Sequence, residues 1–148
     1  MQAMTSLEDA LDRFLKIKSL MTSTGNPMSP SHIEEFEEVV DKYFPEFRKL
    51  ELGEKEEKIF DLINDLINKG KLLKEYELNP TMDYYERVSL YEVPSKKHGK
   101  IYIVEYTWEH APTAEAGVSY GFYKSYKEAF DHYEDIMLEL KEKEEESS

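Results

Sequence analysis

The chain contains no cysteine. This excludes a disulfide framework, thiolate metal sites and a cysteine nucleophile. Its six glycines are dispersed and form neither GxxxxGK[ST] nor GxGxxG, so no phosphate-cradling loop is expected. No serine sits in a GxSxG turn, which leaves serine nucleophile chemistry without its usual setting. No stretch approaches the roughly 18 apolar residues of a membrane-spanning helix. Glu8, Asp9 and Asp12 interrupt the first 21 residues where a signal peptide would be apolar. The expectation is a cytoplasmic protein with no membrane partner.

Arginine is also scarce, with three against 16 lysines. The basic side chains cluster only at Lys96, Lys97, His98 and Lys100. Nucleic-acid binders draw affinity from neutralised phosphates and display a basic face. Nucleic-acid binding through the 96–100 loop is therefore the weakest of three readings.

What the chain has in excess is acid, unevenly spread. The net charge is -13. Residues 1–30 are balanced, 31–78 carry 14 acids against eight bases, 79–124 six against five, and 125–148 nine against three. The nearly neutral third window holds nine of the 19 aromatics, seven of them tyrosines. Two acidic segments thus flank an aromatic one.

Periodicity assigns elements to these windows. Leu7, Ala10, Leu11, Phe14, Leu15 and Ile17 predict a helix over 6–21, followed by a breaker at 22–27. Ser29-Pro30 and Ser31 with Glu34 start a second helix, whose stripe is Ile33, Phe36, Val40, Tyr43 and Phe44. A third helix is expected over 54–69, with Gly70 as its C-terminal cap. A short strand is expected at 72–78. After Asn79-Pro80 the period changes to two, giving strands near 84–93, 101–109 and 118–124. Tyr102, Val104, Tyr106 and Trp108 share one face of the middle strand. Ser125-Tyr126-Lys127-Glu128 is a capping box that opens a last helix.

The predicted fold class is α+β, with N-terminal helices followed by a three- to four-stranded antiparallel sheet and a C-terminal helix, ααα(β)βββα. One domain is expected over 1–148. Within it, the helix of 1–24 is able to dock separately or to swap between subunits of a homodimer. Residues 31–78 form the helical part, 79–148 the βββα part, and 142–148 an acidic tail that frays because it opposes the helix dipole.

Candidate chemistry is sparse. No histidine pairs with another at i+4 or in HxH spacing. The nearest approach to a metal set is Glu105, Glu109 and His110, but strand residues four apart lie roughly 13 Å apart. No metal and no cofactor are expected. Glu34, Glu35, Glu37 and Glu38 are dense, yet they lie opposite the apolar stripe. A solvated helix face accounts for them, and no catalytic residue is assigned.

The candidates for interaction are of two kinds. Tyr85, Arg87 and Tyr91 share the face of their strand less apt to be core, and Trp108 and His110 belong to the next strand and its loop. Tyrosine and tryptophan give large contact area at low entropy cost. Glu34, Glu38, Asp131, Glu134 and Asp135 stand on the helices. The leading expectation is a non-enzymatic acidic protein that binds a basic protein partner, in an inhibitor, immunity-type or viral accessory role. The alternative is a small-molecule binder that uses the tyrosine-rich sheet face and the 110–117 loop.

Overall fold

The computed structural model describes residues 2–17, 19–23, 28, 30–81 and 84–147, excluding the side chains of 2–9, 38, 39, 42, 43, 79–81 and 147. The order of elements is α1 (Gln2–Ile17), β1 (Ser19–Ser23), α2 (Pro30–Tyr43), α3 (Leu52–Asn68), β2 (Lys71–Thr81), β3 (Tyr84–Ser95), β4 (Gly99–His110), β5 (Glu115–Tyr123) and α4 (Tyr126–Ser147). The strands form one antiparallel sheet in the order β1-β5-β4-β3-β2. The class is α+β, and the sheet has five strands rather than three or four.

The additional strand is β1. Its sequence, Ser-Leu-Met-Thr-Ser, extends the apolar spacing of α1, so local pattern continues the helix. The helix instead ends at Ile17, and Leu20 is buried as β1 pairs with β5, Leu20 opposite Tyr120. That pairing joins residues a hundred positions apart, which no local period reports. Thr22 and Ser23, expected in a breaker, belong to this strand, and 24–27 lie outside the described residues.

β2 is longer than expected and runs through Asn79-Pro80. Pro80 is tolerated because β2 is an edge strand and its register with β3 shifts between Leu78 and Thr81.

Alternation along the strands sends side chains to two separate cores. On one face, Ile101, Ile103, Val93 and Phe122 pack against α1, α2 and α3. Phe14 of α1 lies at its centre, 4.8 Å from the rings of both Phe36 and Phe122. On the other face, Val88, Leu90 and Val104 pack against Ala129, Tyr133 and Leu140 of α4. Ser125 accepts a hydrogen bond from the Glu128 amide at 3.4 Å, so the capping residue expected for α4 is in place. The helix continues to Ser147. Its last turns touch the sheet, where Lys143 donates to Glu86 and Tyr76 donates to Glu144.

Gly70 follows α3 as expected but does not adopt the left-handed conformation of a glycine cap; among the described residues the glycine with positive φ is Gly99, at 78°. Gly70 lacks a side chain for a different reason, since a Cβ there would meet the Glu92 carbonyl oxygen at 2.1 Å.

Among the described residues no helix is long and apolar enough to cross a membrane.

Candidate functional site

The three-helix layer covers only part of its sheet face. Along β4 the residues on that face go from fully buried at Ile101 and Ile103, through 8% exposure at Glu105, to exposed at Glu109. β3 follows, with Val93 buried and Arg87 and Tyr85 half-buried. The corner where β2, β3 and β4 leave the helices is therefore polar. The register places Glu77 and Thr107 on either side of Arg87, Glu75 and Glu105 on either side of Ser89, and Glu109 beside Tyr85.

These groups form a chain of contacts. Arg87 Nη2 donates to Glu105 at 3.4 Å, and its Nε lies 3.7 Å from Glu75. Ser89 donates to the same Glu75 carboxylate at 3.0 Å. Burial raises the Tyr120 hydroxyl above its ordinary range, and the adjacent Glu105 carboxylate adds to the shift. Tyr91 and Tyr85 are raised in the same direction, burial again coming first. These phenols stay protonated at neutral pH and act as donors and ring surfaces. Arg87 carries the positive charge in a group that includes Glu75, Glu77, Glu105 and Glu109.

At the end of the sheet the corner opens into a cleft of about 230 Å³ lined by Tyr85, Glu109, His110, Ala111, Ala114, Glu115 and Ala116. A 3-10 turn over Ala111–Thr113, with Pro112 in its first positions, shapes the wall. Thr113 Oγ1 donates to the His110 carbonyl at 3.3 Å, and the Ala114 amide donates to the Ala111 carbonyl at 3.1 Å. Ala114 adopts a left-handed φ of 55°, the positive φ of a non-glycine residue among the described residues. Ala114 closes the 3-10 turn, where a left-handed residue is common. The ring of His110 stacks on Tyr84 at 4.4 Å, and its Nδ1 lies 4.0 Å from Glu115.

The sequence candidates are thus divided among several places. Tyr85, Arg87 and Tyr91 share the helix-layer face, with Tyr91 packed against the core. Trp108 faces the other way, towards the α4 side, with its ring 5.2 Å from Tyr106. His110 lies opposite Tyr84 on that same side, but the end of the sheet brings it to Tyr85 in the cleft. Glu34 is exposed on α2, and Asp131 and Asp135 are exposed on α4 with Glu134 half-buried. Because α2 and α4 cover opposite faces, these acids do not converge on one surface. The side chain of Glu38 lies outside the described residues.

Two buried carboxylates have no counterpart among those candidates. Glu105 is one. The other is Glu86, 2% exposed on the α4 side. It accepts from Tyr84 at 2.8 Å, from Lys143 at 3.0 Å and from Tyr106. Burial opposes its ionisation, but the hydrogen bonds from Tyr106, Tyr84 and Lys143, together with the lysine charge, hold its carboxyl below the usual carboxylate value. The signal was present in the alternation, because Tyr84, Glu86, Val88 and Leu90 share one face and Glu86 interrupts an otherwise uncharged row.

The basic loop is engaged as well. Lys97 Nζ and His98 Nε2 each lie 2.8 Å from Asp12 of α1, and Lys100 lies 3.5 Å from Glu92. The side chains of Lys97 and Lys100 nonetheless stay 66% and 62% exposed, and Glu92 is shared with Lys71.

Trp108 rests on Gly117, its cross-strand partner. A Cβ at Gly117 would meet the indole at 2.2 Å. Gly117→Ala is expected to cost about 1–3 kcal/mol. It should also red-shift the emission of this single tryptophan as the ring is pushed towards water. An unchanged spectrum would mean that the indole does not cover Gly117.

Comparison with family models, with curated proteins and with solved structures yields no match for this chain. The roles of these residues rest on geometry and chemistry alone.

Proposed function

We propose that this protein is a non-enzymatic acidic binding protein whose working surface is the open corner of the sheet, and that its partner is a basic protein. The observation that carries the reading is the composition of that corner. Tyrosine rings and the carboxylates of Glu75, Glu77, Glu105 and Glu109 share this corner with one guanidinium, already paired with Glu75 and Glu105. The surplus is negative, and it lies beside aromatic surface on a rigid sheet. Such a surface raises the local concentration of cationic partners and gives them flat rings to pack on.

The test is fluorescence anisotropy with labelled lysine- and arginine-rich peptides against acidic peptides of equal length. Basic peptides are expected to bind, with affinity that falls as salt rises. Equal binding of both sets, or no dependence on salt, overturns the reading.

The cleft favours a second reading, a small-molecule binder, because alanines and a tyrosine line a concave space next to the left-handed Ala114. Native mass spectrometry of the purified protein distinguishes it. A co-purified small-molecule mass supports this reading, and a bare polypeptide mass counts against it.

A further inference from the structure

We infer that the cleft between Tyr85, Glu109 and Glu115 is a seat for one arginine side chain of that basic partner. The inference rests on the basic-partner reading and adds the residue type and the place.

The lining suits a guanidinium better than other groups. Glu109 and Glu115 bring two carboxylates, Tyr85 brings a ring, and no lysine or arginine stands among the lining residues. The three alanines keep the walls low enough for a planar group to enter. His110 stands as a wall, its ring held against Tyr84 and its Nδ1 near Glu115. A guanidinium is planar, weakly hydrated and forked, so it stacks on a tyrosine while donating to carboxylates on its edge. An ammonium is a compact and strongly hydrated charge. In a cleft open to water it gains less.

The chain itself shows how this surface holds a guanidinium. Arg87 lies on the same face between Glu75 and Glu105, whose carboxylates favour its charged form against the cost of burial. The cleft repeats the pair of glutamates and adds the ring of Tyr85, two residues from Arg87 along β3. Arg87 thus shows the charge part of the recognition we assign to the cleft, one guanidinium between two glutamates.

The test uses the full chain and two labelled peptides, one alternating arginine with glycine and one alternating lysine with glycine, read by anisotropy at low salt. The arginine peptide is expected to bind about fivefold tighter than the lysine peptide. Glu109→Gln combined with Glu115→Gln, both exposed positions, should weaken it by about tenfold. Tyr85→Leu should remove most of the preference for arginine. The control is Glu34→Gln with Glu35→Gln on α2, which should bind like the parent chain. If the control weakens binding and the cleft variants do not, the cleft assignment falls while the basic-partner reading stands. If neither peptide binds the parent chain, the basic-partner reading falls and the cleft assignment with it. Should Tyr85→Leu fail to fold, the double glutamine variant decides the matter alone.

Discussion

Replacing Lys143 by methionine is expected to lower the unfolding free energy by about 3 kcal/mol near neutral pH. The lysine supplies the positive charge bonded to Glu86, a carboxylate with 2% exposure beneath α4. Without it, Glu86 keeps two tyrosine hydroxyls and, among the described residues, no paired countercharge. Breaking a buried pair costs about 3–5 kcal/mol, and the lower end applies because the lysine side chain is 44% exposed and retains some water. The pH dependence provides an independent check. In the parent chain the folded-state pKa of Glu86 lies below its ordinary value of 4.5. The unfolded chain therefore binds the proton more readily, and this stabilisation is lost as the pH falls through the depressed value. Removing Lys143 raises the folded-state pKa of Glu86 relative to the parent. The deficit of the variant should then be largest near neutral pH and should shrink on acidification. Urea unfolding at about pH 7 and about pH 4 measures both values. A deficit that is constant with pH would show that the lysine contributes packing rather than charge.

The same cluster connects the end of α4 to the cleft. Lys143 donates to Tyr84 at 3.2 Å as well as to Glu86, and Tyr84 supports the ring of His110. The wall of the candidate site is thus positioned from below by a helix that itself contributes no lining residue.

Sequence pattern carried much of this architecture and part of this site, namely Tyr85, Arg87, His110 and the 110–117 loop. The alternation along 84–123 revealed β3, β4 and β5 because each strand has one row buried by α4 or by the helix layer, and burial is what produces the period. Pro30 and Ser125 revealed the starts of α2 and α4 because their chemistry is local. β1 remained hidden because its identity as a strand comes from β5, a distant partner. The carboxylates around Arg87 remained hidden for a related reason. Glu75, Arg87 and Glu105 come from three strands, and only the register brings them together. Conversely, Glu34 and Asp131 read alike as helix acids along the chain, whereas the sheet places their helices on opposite faces.

Gly70→Ala is expected to cost about 3 kcal/mol, and in a chain of this size to lower the melting temperature by about 10 °C. The added methyl group would lie 2.1 Å from the Glu92 carbonyl oxygen and 3.1 Å from the Val93 Cα. Both are backbone atoms of β3, so no rotamer change relieves the contact. Either α3 or β2 must move away, and both alternatives are expensive. Leu66, near the end of α3, and Val93 are both buried in the core of the helix layer. Lys71, next in the chain, pairs with Glu92 and begins the β2–β3 register. A shift at that point is transmitted to Glu75 and Glu77, so the variant should also weaken the peptide binding proposed for the corner. Gly53 in α3 is the control. A Cβ there meets nothing within 4 Å, and alanine is the better helix former by up to about 1 kcal/mol. Gly53→Ala should therefore be neutral or stabilising. Two glycine-to-alanine changes at opposite ends of one helix are thus expected to move the melting temperature in different directions, which thermal unfolding of the two variants measures. Equal, small effects would place the β3 backbone farther from Gly70 than the structure has it.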